Sequence, residues 1–223
     1  KRYLLGRNIP NHKIEVIPHG EFSFFAQYSK GSVRGIKGNN ILFFGRITRY
    51  KGIDYLIEAG KLVKERIPDA TVTIAGAGGF TRYKRMIGSD SSFTVLNRFI
   101  ADEEVAELFQ KASVVVLPYV DGSQSGVISI AYAFKKPVVA TNVGNFSEMV
   151  ENGKTGFVVP PKDSEALAAA LVEVLSNGDL RRAMGENGHK FMEEAFTWDK
   201  IADRTLATYR QALEYRKGEL NYP

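Results

Sequence analysis

The chain has 223 residues, of which 44% are hydrophobic, a formal net charge of +5 and no cysteine. That is enough length and apolar content for one sizeable core, and the missing cysteine excludes disulfide frameworks, thiolate metal sites and cysteine nucleophiles together. No apolar run reaches the ~18 residues of a membrane-spanning helix, and no signal peptide is visible, so a cytoplasmic location is expected.

The chain opens at Lys1 and nothing in it reads as a second α/β domain, so one domain over residues 1–223 is expected, with 1–11 and 216–223 as linker or frayed ends. The excess positive charge is spread over separate helices: Lys61, Lys64 and Arg66; Arg82, Lys84 and Arg85; Arg181 and Arg182. No recognition motif or aromatic-basic platform accompanies them, so nucleic acid is not expected as a partner.

In chain order, Ile17-Pro18-His19-Gly20 reads as a strand-exit loop. Ile41 to Phe44 is a buried strand running into Gly45-Arg46-Ile47-Thr48-Arg49-Tyr50-Lys51-Gly52. This loop is either a solvated basic turn or an anion site. Glycines at both ends allow a close backbone approach, and Arg46 and Lys51 offer a planar fork and a compact point charge to a diphosphate. The following helix would bury Ile53, Leu56, Ile57, Gly60 and Val63. Thr71 to Ala75 is the next strand; it leaves through Gly76-Ala77-Gly78-Gly79 into a helix through Tyr83 and Ile87. With Thr81 where a dinucleotide fingerprint has its third glycine, that turn is either a tight exit or a ligand contact, and nicotinamide binding is the weaker idea.

Phe93 to Phe99 reads as a third strand, followed by a helix capped by Asp102 with Val105, Leu108, Phe109 and Ala112 inward. Val114 to Leu117 then enters Pro118-Tyr119-Val120-Asp121-Gly122-Ser123-Gln124-Ser125-Gly126 and a helix that is apolar almost all round. Ser125 suits its N-cap, and the Gly126 and Val127 amides at the dipole's positive end favour a phosphate. Val138 to Ala140 is a further strand and Gly156 to Val159 a short edge strand. The tail is helical, with one apolar stripe at Leu167, Ala170, Leu171, Val174 and Leu175 and another at Trp198, Ile201, Thr205 and Tyr209 after a Thr197 cap. Strands alternating with amphipathic helices predict an α/β, Rossmann-like, doubly wound parallel sheet.

These motifs, with Lys136-Pro137-Val138-Val139-Ala140-Thr141-Asn142-Val143-Gly144 and Gly153-Lys154-Thr155-Gly156 after them, resemble the C-terminal domain of retaining glycosyltransferases of family 4, from about Ile14 to Asp199. The resemblance implies one half of a GT-B enzyme: the donor domain, which binds a nucleoside-diphosphate sugar, the acceptor domain being absent and this half inactive alone. It gives Arg46 and Lys51 the diphosphate and its leaving-group charge, beside Gly45, Gly126 and Val127. It assigns the base to the loop of Arg98, Phe99 and Ile100, largely through main-chain groups, and places His19, Gly76 and Gly78 along the cleft. It implies a glycan or lipid-linked acceptor, and with it peripheral contact at the inner face of a membrane. No Asp-x-Asp pair or histidine cluster is present, so neither metal nor cofactor is expected.

The sequence departs from the family at two positions. Most relatives carry two glutamates with seven residues between them, and those positions are Gly122 and Ile130 here. Ser123, Gln124 and Ser125 are expected to take over the contacts to the donor sugar. A GT-B-fold nucleotide-sugar epimerase and a non-catalytic sugar-nucleotide or interaction module are the alternatives.

Overall fold

Val114–Leu117 (β4) and Val138–Thr141 (β5) are buried at every residue, as strands covered on both faces of a parallel sheet must be. In the computed structural model, which describes residues 2–28 and 38–217, they join Asn39–Phe44 (β1), Ala70–Ala75 (β2), Phe93–Leu96 (β3) and Gly156–Val159 (β6). Every pairing is parallel and the strand order is β3-β2-β1-β4-β5-β6. This is the expected Rossmann-like, doubly wound parallel sheet. Its winding reverses between β1 and β4, which leaves a crevice beyond the carboxyl ends of those two strands.

Nine helices are described. They are α1 (Arg2–Leu5), α2 (Ile53–Arg66), α3 (Thr81–Ile87), α4 (Asp102–Lys111), α5 (Gly126–Ala133), α6 (Phe146–Met149), α7 (Ser164–Ser176), α8 (Gly178–Ala195) and α9 (Trp198–Lys217). Helix α2 buries Ile53, Leu56, Ile57, Gly60 and Val63, the expected face, and packs on α7, which buries its own expected stripe of Leu167, Ala170, Leu171, Val174 and Leu175. The Asp163 side chain caps α7 by accepting from the Ala166 amide at 2.9 Å. A 3-10 turn at Ser23–Tyr28 packs on α4 and α5.

The seam between β1 and β4 is narrow, with Ile41 opposite Val114 and Leu42 opposite Val115. Ser113 extends it: its amide donates to the Asn40 carbonyl at 2.8 Å, and its hydroxyl donates to the Gly38 carbonyl at 2.6 Å.

Three local expectations change. The third strand stops at Leu96 rather than Phe99, because Asn97 turns its amide onto the Gly78 backbone and the Arg98 amide folds back to the Leu96 carbonyl. Asp102 is the first residue of α4 rather than its cap; Ala101 stands at the cap position, and Asp102, Glu103 and Glu104 together face the positive end of the helix dipole. Residues 17–20, expected to be the exit loop of a strand, follow no strand, since residues 14–16 before them form none. Their chain continues into Glu21, whose amide donates to Phe196 and whose carbonyl accepts from the Trp198 indole, and Pro18 has no amide to give a ladder. Of the expected frayed ends, Lys1 and residues 218–223 lie outside the described residues.

The chain divides into two compact units, one up to Glu21 and from Glu193 onward, the other Phe22–Met192. The sheet belongs to the second. In the first, Ile201 is buried, Glu15 pairs with Arg204 at 3.3 Å, and Trp198, Leu206, Tyr209 and Leu213 of α9 are each more than half exposed.

Candidate donor site at the carboxyl ends of the strands

The loop after β1 is shaped by main-chain contact with its neighbours. The Gly45 amide donates to the Ala75 carbonyl at 2.9 Å and the Ile47 amide to the Ala77 carbonyl at 2.8 Å, so the β1–β2 pairing continues past both strand ends. A Cβ on Gly76 would overlap the Gly45 carbonyl, and one on Gly78 the Ile47 carbonyl. Asn97 clasps Gly78 from the other side with bonds of 3.0 and 3.1 Å. The glycine-rich exit is therefore required by backbone packing, with Gly76 and Gly78 lying between the β1 and β3 exits. Gly45 differs: its φ is +135° and nothing lies within 4 Å of where a Cβ would stand, so its backbone is open to approach.

Gly52 closes the loop in the left-handed region, at φ +68°, and a Cβ there would overlap the Pro118 carbonyl of the β4 exit. Gly52→Ala is therefore expected to destabilise the fold by about 2–4 kcal/mol, since strain and overlap act together. Urea unfolding monitored by circular dichroism measures this, and a midpoint equal to that of the parent would contradict it.

This close approach puts Lys51 against the β4 exit. Its Nζ lies 3.6 Å from the Tyr119 ring centroid and 5.1 Å from that of Tyr50. The two rings meet edge to face at 6.2 Å, and Tyr119 also packs edge-on against Phe146 at 5.1 Å. A partly desolvated cation on such a face gains up to about 2 kcal/mol. Burial, and after it the Arg46 guanidinium, bring the Lys51 ammonium from its ordinary 10.5 down to about 8. Among the described residues neither Arg46 nor Lys51 forms an ion pair with a carboxylate. Two cations thus stand near enough to influence each other at the crevice mouth, one of them half-buried, and they concentrate positive potential there.

Opposite them the Tyr119 hydroxyl meets Ser125 Oγ at 3.1 Å, and burial pushes its pKa up to about 12, which keeps it a neutral hydrogen-bonding group. Ser125 caps α5 as expected, accepting from the Val127 amide at 3.4 Å. Gly126 is exposed, and a Cβ on it would meet the edge of the Phe22 ring. Ser123 and Gln124 have exposed side chains, while the Ser123 carbonyl accepts from the Asn145 amide at 3.0 Å, tying this loop to the β5 exit. Asp121 bonds the next amide, Gly122, at 2.7 Å, a turn aspartate. Ile130 lies inside α5 with 5% of its surface exposed.

Beyond β3, the three residues expected at the base divide. Arg98 is taken up by Glu104, at 2.5 and 2.7 Å, and Ile100 is buried. Phe99 presents its ring to solvent, 81% exposed. His19 lies in the other unit, its ring edge-on to Trp198 at 5.2 Å and its Nδ1 2.8 Å from the Gly20 carbonyl. Within the sheet-bearing unit the structure thus joins Gly45, Arg46, Lys51, Gly76 and Gly78 through one set of strand exits. The 118–126 loop adjoins it through Gly52 and Tyr119.

Tyr119 and Tyr50 escape the sequence reading. The available signal is positional: each aromatic stands at the exit of a strand flanking the winding reversal, Tyr50 beside a cation and Tyr119 just after a proline.

Residues 38–177 match the model of the family described as glycosyl transferases group 1. An uncharacterized glycosyltransferase of Methanocaldococcus jannaschii is 32% identical over 222 residues, covering 93% of this chain and 56% of that protein. A D-inositol 3-phosphate glycosyltransferase of Paenarthrobacter aurescens is 31% identical, covering 90% and 52%. The chain thus spans about half the length of these curated relatives. Among solved structures, sucrose-phosphate synthase of Thermosynechococcus elongatus superimposes with a TM-score of 0.77 at 26% identity, covering 90% of this chain and 53% of that one. Anabaena HepE in complex with UDP does so at 0.83 and 20%, covering 94% and 61%. With its family model covering the sheet from the start of β1 to the end of α7, this chain belongs to the glycosyl transferases group 1 family.

Proposed function

We propose that this chain is the donor-binding half of a retaining, family 4 glycosyltransferase of GT-B architecture, and that a nucleoside-diphosphate sugar binds beyond the carboxyl ends of β1 and β4. The observation that carries this reading is the Arg46 and Lys51 pair at the winding reversal, with no carboxylate partner among the described residues and with Lys51 resting on Tyr119. As the glycosidic bond breaks, negative charge grows on the leaving diphosphate. Arg46 and Lys51 meet that charge with fixed donors, the role a metal serves in other transferases. The solved complex of HepE with UDP supports a nucleoside diphosphate as the ligand.

Ser123 and Gln124, with exposed side chains on the 118–126 loop, take the donor sugar in place of the family glutamates absent at Gly122 and Ile130. The base lies over the exit of β3, where Phe99 offers a face and Arg98 is held aside by Glu104. The acceptor, a glycan or a lipid-linked sugar, belongs to a further domain, as the half-length match to the relatives suggests. With that domain comes contact at the inner face of a membrane.

Calorimetry of the chain with uridine, guanosine, adenosine and thymidine diphosphates tests this. One of them is expected to bind, to bind equally in excess chelator, and to bind as the nucleotide sugar without sugar transfer. Binding by none, or a strict need for magnesium or manganese, would overturn the cationic clamp; enzyme-like transfer by the chain alone would overturn the half-enzyme.

A further inference from the structure

The amino ends of the same strands hold a second pair of cations. The residues that enter β4 and β5, with the start of α8, line an open cavity of about 590 Å³. Among the described residues, Lys135, Lys136, Arg181 and Arg182 line it against a single carboxylate, Glu186. Two of the four cations have ion-pair partners: Lys135 meets Glu186 at 2.8 Å and Arg182 meets Asp179 at 3.4 Å. The other two are held by neutral groups. Lys136 Nζ donates to the Gln110 carbonyl at 2.9 Å, and the Arg181 guanidinium reaches the Leu175 carbonyl at 3.4 Å and Asn39 Oδ1 at 3.5 Å.

Both are half-buried. Burial first, then the nearby Arg181, bring the Lys136 ammonium down to about 8. A pair of like charges withdrawn from water opposes folding unless something of opposite sign offsets it. The cavity is also roomier than water or a simple ion needs and falls within the range of ligand sites.

We propose that this cavity is a second anion site, which holds a phosphate-bearing ligand between Lys136 Nζ and the Arg181 guanidinium, with Arg182 at its mouth. A guanidinium fork beside a point charge matches phosphate oxygens in the way the donor loop does. The site lies at the opposite ends of the strands from Arg46 and Lys51, so the two can be filled together. A soluble phosphate ester and a phospholipid headgroup share this chemistry.

Titration of the labelled chain with inorganic phosphate, followed by amide chemical shifts, is the first arm of the test. Shifts are expected at Ser113, Lys136 and Gly178, and they should persist unchanged in Arg46→Ala, which separates this site from the donor loop. Lys136→Gln and Arg181→Gln should each weaken the binding about tenfold or more. Arg182→Gln, at a side chain 75% exposed, provides a variant with little to disturb in the fold and should also weaken it. The second arm is co-sedimentation with phosphatidylcholine vesicles with and without phosphatidic acid. Co-sedimentation that needs phosphatidic acid and is lost in Lys136→Gln assigns a headgroup, whereas phosphate shifts without co-sedimentation assign a soluble ligand. Silence in both arms, or binding that survives all three substitutions, would overturn the proposal.

Discussion

Arg46→Ala and Lys51→Ala are each expected to weaken nucleoside-diphosphate binding roughly 10- to 100-fold. A charge-assisted hydrogen bond contributes about 1.5–3 kcal/mol, and each ~1.4 kcal/mol is tenfold in affinity. The two variants differ in their effect on the fold. Arg46 is exposed, so its loss should leave stability near the parent value, whereas Lys51→Ala removes a half-buried charge held next to Arg46 and also its contact with Tyr119, two opposing effects. Urea unfolding beside calorimetry therefore separates a lost clamp from a damaged fold. Ser123→Ala and Gln124→Ala serve as the contrast: they should weaken the intact nucleotide sugar and spare the bare diphosphate. Equal losses for both ligands in those variants would defeat the sugar assignment, and unchanged binding in Arg46→Ala and Lys51→Ala would reduce the β1 exit to a solvated basic turn.

The second large effect is expected from pH. With its pKa near 8, set by burial and then by Arg46, Lys51 is charged at pH 7 and loses its proton as pH rises through 8. Only about a tenth of the free chain keeps that charge by pH 9, so diphosphate affinity should fall up to about tenfold between pH 7 and 9. A bound diphosphate favours the ammonium, so binding in this range takes up a proton, which calorimetry in buffers of different ionisation enthalpy detects. Lys51→Ala should bind weakly and evenly across the window. Stability moves the other way: the unfolded lysine keeps its proton to its ordinary 10.5, so the unfolded state binds more protons between 8 and 10.5, and resistance to unfolding rises with pH there. Lys136 contributes with the same sign. Affinity that stays level from pH 7 to 9 in the parent chain would remove Lys51 from the clamp.

How far the sequence could be read depended on how local the determining physics was. Apolar runs such as Val114–Leu117 and the helical spacing of Ile53, Leu56, Ile57 and Val63 identify strands and buried helix faces, because burial acts on each residue where it stands. The Ser125 cap is legible for the same reason, its bond reaching only two residues ahead. The end of β3 was misread because the Asn97 side chain leaves the strand for Gly78, 19 positions away. Lys51 itself was legible as a cation on a glycine-flanked loop. Its seat on Tyr119 was not, since that contact exists only once β4 lies beside β1. The Gly76 and Gly78 turn was readable as tight, but the two carbonyls that require it, Gly45 and Ile47, belong to another segment.

The narrow seam between β1 and β4 also bears on the order in which the protein assembles. β1, β2 and β3 follow one another along the chain and pair as neighbours, as do β4, β5 and β6, so each trio closes over short stretches of backbone. The seam joins Asn40 to Ser113 across 73 positions and must bring the two halves of the sheet together at the larger entropic cost of a long loop. Until that joint closes, the inner edges of β1 and β4 remain unpaired and sticky, which makes crowding of nascent chains the hazard of this topology. The crevice at the winding reversal cannot exist before that joint closes.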